Sequence, residues 1–338
     1  MRALLYPEFN TLEIADQPVP VIGNNEVLLK VAACGICGSE LETFRNQSIR
    51  RTPPLIMGHE FCGTIEQVGA GVDGFAKGQQ VVSNALVPCN SCARCERGDT
   101  HLCDDRQIFG MHRRGAFAEF VNVPATCLTE WPGNLPGAAA CLAEPLANGI
   151  HIVNLTEHLD LKHLLIIGAG PIGLMTLQAF KAKKPVNITV SEINEARLEV
   201  ASKLGADKVI HTGETDLLTA ILDMTGGEGV DLVVDAAGNA ITNKLAIEAL
   251  RPGGTAVFIG LLKDNNAVNS YDLILTEKKI IGTYAAKMEE LTEALELMKT
   301  GKVDVGSWVH TFTLDQGVEG FNLMLEGKGE HIKGVFCP

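Results

Sequence analysis

The hydrophobic pattern of the first 140 residues is that of a β-rich domain. Short apolar and β-branched runs alternate with turn signals such as Gly69-Ala70-Gly71 and Pro132-Gly133. Such spacing predicts an irregular antiparallel barrel. The runs expected to form its strands include Glu26–Ala33, Phe61–Val68, Gln79–Asn84 and Ala116–Val123.

After residue 160 the pattern becomes a regular alternation of buried strands and amphipathic helices. This alternation predicts a parallel sheet with helices on both faces, and hence an α/β fold class. A further helix is expected at Met288–Met298, where Leu291, Leu295 and Met298 share one face. The predicted strands are His163–Ile167, Asn187–Ser191, Lys208–Ile210, Asp231–Asp235, Thr255–Ile259 and Lys279–Thr283; the predicted helices between them include Glu195–Leu204, Asp216–Met224 and Ala240–Leu250.

Size and charge narrow the classes of function. A chain of 338 residues predicts two domains. With 28 Lys and Arg against 41 Asp and Glu, the net charge of −13 argues against nucleic-acid and membrane-surface partners. We expect no signal peptide, because the start of the chain turns polar by Glu8, and we expect a cytoplasmic protein.

A glycine-rich loop follows the first strand of the second part: Gly168-Ala169-Gly170-Pro171-Ile172-Gly173. In a dinucleotide-binding loop, the first glycine permits a tight turn, the second admits a pyrophosphate, and the third packs the helix on the strand. The N-terminus of the next helix offers free N–H groups to phosphates. The motif alone is a weak signal, but the strand before it and the helix after it agree with a coenzyme site.

An acidic residue stands where a coenzyme ribose would bind. Glu192 ends the second strand, nineteen residues after Gly173, and its charge would repel a 2′-phosphate, which favours NAD over NADP. Arg197, one helical turn further on, is a second candidate coenzyme contact and leaves NADP open. The alternative interpretation of Glu192 is an ordinary surface carboxylate at a strand end.

Four of the ten cysteines lie within fifteen residues, in a polar loop at about residues 87–105. Four thiolates at such short separations can close a tetrahedron around a structural zinc. The alternatives are an iron–sulfur cluster or packing, although free thiols prefer apolar surroundings. The predicted ligands are Cys89, Cys92, Cys95 and Cys103.

A second set of metal-ligand residue types is scattered along the chain. Cys37 lies in Gly35-Ile36-Cys37-Gly38-Ser39, His59 and Glu60 in Gly58-His59-Glu60, and Glu144 in Glu144-Pro145-Leu146. Taken one at a time, each has a structural explanation, such as a buried thiol, a loop imidazole or a surface acid.

Taken together with the four-cysteine loop and the glycine loop, these motifs resemble the zinc-dependent medium-chain dehydrogenases/reductases over essentially the whole chain. The resemblance is nearest to the branch of sorbitol, galactitol-phosphate, sugar-acid and threonine dehydrogenases. It implies a GroES-like catalytic domain at residues 1–147 and 286–338, and a Rossmann NAD-binding domain at residues 148–285. The family places its substrate cleft where the two domains meet.

The resemblance also implies roles for individual residues. Cys37 and His59 match the ligands of a catalytic zinc, and Glu60 and Glu144 match two carboxylates that alternate with water there. Ordinary alcohol dehydrogenases carry a cysteine in place of Glu144, and the nearby Cys141 ranks below Glu144 as a ligand. Ser39 is expected to take the substrate's hydroxyl proton.

Three further positions are assigned by the same resemblance. Lys333 matches a cation that often helps to hold coenzyme phosphates. Glu40 replaces the aspartate that usually accepts a hydrogen bond from the ligand histidine. Glu42 replaces the histidine that usually passes the proton on, so either Glu42 or water must carry the proton away.

The implied activity is oxidation of a secondary alcohol, with two zinc ions per chain and NAD as cofactors. A polyol, sugar acid or sugar phosphate is the first expectation, an L-threonine-type amino alcohol is the alternative, and a non-enzymatic zinc-knot module is remote. We expect a homodimer or homotetramer. Basic residues that would favour an anionic substrate, or are simply solvated, are Arg45, Arg50, Arg51, His112, Arg113 and Arg114.

Overall fold

A computed structural model describes residues 1–262, 268–327 and 331–338. The chain forms two compact units, Met1–Ala147 with Ala286–Pro338, and Asn148–Ala285. Each unit contains a hydrophobic core built from its own residues. Within the described residues, no helix is both long and apolar enough to cross a bilayer.

The first unit is mainly β-structure. Its largest sheet has the order β10-β6-β5-β3-β18-β17, with β9 also paired to β3; a second sheet has the order β2-β1-β4, and β7 pairs with β8. The elements of this unit are β1 (Arg2–Tyr6), β2 (Glu13–Asp16), β3 (Glu26–Gly35), α1 (Gly38–Asn46), β4 (Leu55–Ile56), β5 (Glu60–Val68), β6 (Gln80–Ser83), β7 (Leu86–Val87), α2 (Ala93–Glu96), β8 (Gln107–Ile108), β9 (Phe120–Pro124), β10 (Leu128–Glu130), α3 (Gly137–Ala140), α10 (Met288–Lys299), β17 (Val309–Thr313), α11 (Gly317–Glu326) and β18 (Lys333–Cys337).

The end of strand β3 is the point where distant parts of the first unit meet. Gly35 pairs antiparallel with Glu60 of β5 on one side and with Val335 of β18 on the other. A Cβ atom at Gly35 would lie 2.1 Å from Glu60 Oε2, so a larger residue at this crossing would displace the Glu60 carboxylate. The register therefore brings the segment after β3 close to the first residues of β5 and β18.

The second unit is built on a six-stranded parallel sheet of order β13-β12-β11-β14-β15-β16. The strand order reverses between β11 and β14, and ligands bind at such switch points beyond the carboxyl ends of the strands. Helix α4 (Ala143–Leu155) precedes the sheet, and the remaining elements are β11 (His163–Ile167), α5 (Pro171–Lys183), β12 (Asn187–Glu192), α6 (Glu195–Lys203), β13 (Lys208–His211), α7 (Leu217–Met224), β14 (Val230–Asp235), α8 (Ala240–Glu248), β15 (Leu250–Phe258), α9 (Ser270–Leu275) and β16 (Lys279–Gly282).

The predicted α/β class, with a β-rich domain and a parallel sheet, is confirmed. One predicted strand is displaced: the run 116–123 forms a regular strand only from Phe120. The N–H groups of Ala116 and Phe117 instead donate to the carbonyls of Gly58 and Met57, at 2.9 Å each. The backbone before β9 therefore joins the loop that precedes β5, an irregular pairing that hydrophobic alternation does not reveal.

Candidate active site and coenzyme loop

Helix α1 begins at Gly38, and the side chain of the preceding residue, Cys37, caps it. Cys37 Sγ accepts from the backbone N–H of Ser39 at 3.5 Å, and Glu40 Oε2 accepts from the N–H of Cys37 at 2.9 Å. Cys37 and Glu40 form a capping box, in which the side chain of each accepts from the backbone N–H of the other. The thiol is thereby held at the N-terminus of α1, beside the first turn of the helix.

Glu40 also fixes the orientation of His59. Its Oε1 lies 2.9 Å from His59 Nδ1 and accepts from the N–H of Gly58 at 2.8 Å. Burial alone would raise the pKa of Glu40, but the charges of His59 and Arg51 outweigh it and hold that pKa below its usual value. With Nδ1 donating to the carboxylate, Nε2 of His59 is left to bind a metal.

Three ligand types converge beside this pair. Ligand atoms of Cys37, His59 and Glu60 all lie within 4.8 Å of one another, and His59 and Glu60 are buried. Burial would lower the pKa of His59, yet the charges of Glu40 and Cys37 raise it well above its usual value. A site that holds negative charge around an imidazole in this way fits a divalent cation, which would replace the proton.

Lys333 lies inside the same site. Its ammonium is buried, forms an ion pair with Glu60 and donates to the carbonyl of Ile36 at 2.9 Å. Burial alone would lower the pKa of Lys333, but Glu60 and Cys37 more than offset this and raise it. The expected contact with coenzyme phosphate stays a prediction, and the structure gives Lys333 an internal partner that the sequence did not indicate.

Glu144, at the start of α4, is a buried carboxyl close to these groups. Burial raises its pKa to about 7; the charge of Glu60 adds to this rise, and the charges of His59 and Lys333 oppose it. The neighbouring candidate Cys141 is a buried thiol that donates to the carbonyl of Ala138 at 3.6 Å. Burial raises the pKa of Cys141 well above its usual value, which disfavours the thiolate that a metal would need. The ranking of Cys141 below Glu144 as a ligand stays a prediction.

The six basic side chains proposed to face a substrate do not act as one group. Arg45 donates to the carbonyl of Leu325, Arg113 pairs with Glu26, and Arg114 donates to the carbonyl of Pro18. Only Arg51 is joined to the candidate site: its Nη2 donates to Ser39 Oγ at 3.0 Å. No sequence signal separates Arg51 from its five basic neighbours.

The four-cysteine loop is compact and largely accessible. The Sγ atom of Cys92 lies 3.6 Å from that of Cys95 and 3.9 Å from that of Cys103, with all four thiols free. Hydrogen bonds from Ser91 lower the pKa of Cys89 to about 6, while burial and the adjacent thiols raise that of Cys95 to about 12. Four sulfurs within 4.8 Å of one another, without a disulfide, fit a tetrahedral zinc.

The glycine loop has the geometry of a phosphate cradle. Gly168 has a φ of +100°, and a Cβ at Gly173 would lie 1.9 Å from the carbonyl oxygen of Gly168. Gly170 precedes α5, and a Cβ there would have no neighbour within 4 Å. Pro171 and Ile172 open the helix, so its first N–H groups border this space.

Glu192 is tied to this loop. Its Oε2 accepts from the N–H of Ala169 at 2.9 Å, and its Oε1 accepts from the N–H of Ile193 at 2.7 Å. Arg197 Nη1 lies 4.0 Å from Glu192 Oε2. The carboxylate and the guanidinium therefore stand together beside the loop, with the carboxylate nearer to its backbone.

Comparison with known proteins agrees with both units. The family described as Alcohol dehydrogenase GroES-like domain matches residues 23–133, and the family described as Zinc-binding dehydrogenase matches residues 171–300. An L-threonine 3-dehydrogenase from Pyrococcus furiosus is 34% identical over 331 residues, which cover 95% of this chain and 94% of that protein.

Two solved structures are also similar. A zinc-binding dehydrogenase from Sinorhizobium meliloti, bound to NADP, has a TM-score of 0.91 and 27% identity, covering 100% of this chain and 99% of its own. Galactitol-1-phosphate dehydrogenase from Escherichia coli has a TM-score of 0.92 and 25% identity, with complete coverage of both chains.

The chain belongs to the zinc-dependent alcohol dehydrogenase family, within the medium-chain dehydrogenase/reductase superfamily. It is an oxidoreductase of this class, and the family resemblance indicated by its sequence motifs is confirmed.

Proposed function

We propose that this protein is an NAD-dependent secondary-alcohol dehydrogenase whose reaction takes place beside Cys37, His59 and Glu60. The observation that carries the proposal is the convergence of these three ligand types, with Glu40 holding the imidazole. A zinc ion bound there would supply Lewis-acid stabilisation of the substrate oxygen. Glu144 could supply a further carboxylate ligand to this zinc ion. The four-cysteine loop would hold a second zinc with a structural role.

The residues of the chain itself manage the proton and the coenzyme. Ser39 Oγ lies 3.4 Å from Cys37 Sγ, beside the place where a substrate hydroxyl would bind, and is suited to receive the hydroxyl proton. Gly170 leaves room for a pyrophosphate, and Glu192 would accept hydrogen bonds from the ribose hydroxyls of NAD. NAD bound there would accept the hydride.

L-threonine is the first substrate to test, because the P. furiosus relative named for that activity is similar over nearly the whole chain. The sequence-based preference for a polyol, sugar acid or sugar phosphate becomes the second candidate, supported by the galactitol-1-phosphate dehydrogenase structure. L-threonine, galactitol 1-phosphate, sorbitol and an aldonate should be compared with NAD and zinc by NADH absorbance. Oxidation of L-threonine at a kcat/KM tenfold above the others would support the first choice, and the opposite order the second.

The same assay with NADP and a coenzyme-binding titration test the class of function. Binding of NAD with substrate oxidation supports a dehydrogenase. A protein that retains zinc in the four-cysteine loop but binds no dinucleotide would fit the zinc-knot module instead. Because its many free thiols would be oxidised outside a reducing compartment, we propose that the protein works in the cytoplasm.

The edge of the parallel sheet suggests how copies would associate. Edge strand β16 carries Ile280, and the preceding helix α9 exposes Ile274 and Leu275 to 70% and 78%. An uncovered strand edge beside apolar side chains favours pairing with a second chain. We propose a homodimer through this edge, or a tetramer built from such dimers. Light scattering should give a dimer or larger for the wild type and a shift toward monomer for Leu275→Glu.

A further inference from the structure

Arg51 is a buried cation held mainly by neutral oxygens. Its side chain is nearly inaccessible, with only 3% of the residue exposed. It forms no direct ion pair with a described residue, although its charge helps to lower the pKa of the nearby carboxyl of Glu40. Nε donates to the carbonyl of Gly110, and Nη1 donates to the hydroxyl of Thr43, each at 3.0 Å. Burying a guanidinium costs free energy, which its hydrogen bonds must offset. The groups that accept these hydrogen bonds therefore indicate the role of Arg51.

Two of its hydrogen bonds converge on one residue. Nη1 donates to the main-chain carbonyl of Ser39 and Nη2 to Ser39 Oγ, both at 3.0 Å. Because Arg51 binds both the main-chain carbonyl and the hydroxyl of Ser39, rotation about the χ1 angle of Ser39 is restricted. The hydroxyl itself donates to Cys37 Sγ, at 3.4 Å.

We propose that Arg51 is a positioning residue that orients the Ser39 hydroxyl for proton transfer; this inference rests on the proposed function. A guanidinium has no acceptor and keeps its protons, so it occupies one lone pair of Oγ. The second lone pair is left for the substrate hydroxyl. As the substrate O–H bond breaks and its proton bonds to Oγ, the hydrogen that Ser39 donates to Cys37 Sγ turns away from the sulfur and passes to water or a coenzyme hydroxyl, so Ser39 carries one hydroxyl hydrogen before and after the step.

Position along the chain would suggest a different partner for Ser39. Glu42 stands where the relay histidine of the family is expected, but its Oε1 accepts from Asn46 Nδ2 at 2.9 Å, along the same helix. Arg51 instead reaches Ser39 from the loop after α1. The positive charge beside Oγ also stabilises negative charge that develops on the oxygen during transfer.

The kinetic test is a double-mutant cycle with Arg51→Gln and Ser39→Ala, using L-threonine or whichever of the four compared alcohols the wild type oxidises. Arg51→Gln should lower kcat about ten- to a hundredfold with little change in KM, the range expected for one charge-assisted hydrogen bond. When Ser39→Ala is already present, adding Arg51→Gln should lower kcat by less than about a further twofold. The proposal would be overturned if the losses in kcat of the two single variants multiplied in the double variant, or if Arg51→Gln left kcat unchanged.

Thr43→Val is the matched control, because it removes a contact of Arg51 without touching Ser39. It should lower the thermal midpoint and leave kcat near the wild-type value. If Thr43→Val reproduces the kinetic loss, Arg51 is only a link between α1 and the loop at Gly110. If Arg51→Gln does not fold, Arg51→Lys can be used instead, because it keeps the positive charge but cannot form the four hydrogen bonds of the guanidinium. A folded Arg51→Lys enzyme with wild-type kcat would also overturn the proposal.

A readout without turnover separates this inference from the proposed function. Co(II) is exchanged for zinc at the Cys37 site while zinc is kept in the four-cysteine loop, so that the thiolate-to-cobalt absorption reports the hydrogen bond from Ser39 to Cys37. Arg51→Gln and Ser39→Ala should shift that band in the same direction, and the double variant no further. An unshifted band in Arg51→Gln would refute the positioning role even if no alcohol is oxidised; a shifted band without any oxidation would count against the proposed function alone.

Discussion

The two thiol-containing clusters of the first unit are built in opposite ways. The four-cysteine loop takes all its ligands from fifteen consecutive residues, and three of its four cysteines are partly accessible. The site at Cys37 collects its groups from the ends of β3, β5 and β18, and most of them are buried. One cluster is local in the sequence, and the other exists only when the sheet is formed.

This difference predicts a division of roles. A local, all-thiolate cluster saturates a zinc ion and contributes folding free energy to its own loop. A metal ion held by mixed ligands can keep an open position for substrate. The charges around this cluster include the buried ion pair of Lys333 with Glu60 and the carboxyl of Glu144. Substitutions in the two clusters should therefore affect different properties, stability in one and catalysis in the other.

The largest effect is expected for Cys37→Ser. Loss of this thiolate should remove one of two zinc ions and lower kcat/KM by about a thousandfold or more, because Lewis-acid stabilisation is worth several kcal/mol. The circular dichroism spectrum should stay that of the wild type. Cys337→Ser, which changes a free thiol outside both clusters, serves as the control for zinc content and rate. Full activity of Cys37→Ser would show that this cysteine is not part of the catalytic site.

Cys95→Ser should affect stability more than catalysis. Without its fourth thiolate the loop binds zinc weakly, and the thermal midpoint should fall by roughly 10 °C. Below that temperature, kcat should remain within about threefold of the wild type. Cys37→Ser, measured alongside, should show the reverse pattern. Equal changes in melting and rate for both variants would remove the proposed division of roles.

The local cluster and the glycine loop could be predicted from spacing alone, since their residues are neighbours in the chain. The site at Cys37 needed the family resemblance, because Cys37, His59 and Glu144 carry no mutual periodicity. The pairing of Lys333 with Glu60 could not be predicted from either, because it depends on the register of β18 against β3. Arg51 could not be distinguished in the sequence from the other basic candidates. The conformation of the loop after α1 decides which arginine reaches Ser39, and spacing does not predict that conformation.

Glu192→Ala extends the comparison to the second unit. Glu192 accepts a hydrogen bond from the backbone of the glycine loop. Its loss should weaken NAD binding about 10- to 100-fold, corresponding to about 1–3 kcal/mol. The difference in affinity between NAD and NADP should become smaller. Fluorescence titration of both coenzymes measures this, and Glu199→Ala, an exposed glutamate of the next helix, is the matched control. A wild type that binds NADP as tightly as NAD would contradict the assigned role, and the adjacent Arg197 would then be examined.

The smallest effect is expected for Glu42→Gln. Glu42 hydrogen-bonds along α1 to Asn46, whereas Arg51 occupies the contact with Ser39. We therefore expect water to carry the proton away, and kcat to change by less than about twofold between pH 6 and 9. A large loss confined to Glu42→Gln would instead make this carboxylate the terminal proton acceptor.

Anomalous diffraction at the zinc absorption edge, from crystals grown with zinc and NAD, would locate the metal ions of both clusters. We expect two peaks per chain. One should be enclosed by Cys89, Cys92, Cys95 and Cys103, and the other should be within bonding distance of Cys37 Sγ and His59 Nε2. A single peak in the four-cysteine loop, with none beside Cys37 in an enzyme active under the same conditions, would contradict the catalytic assignment.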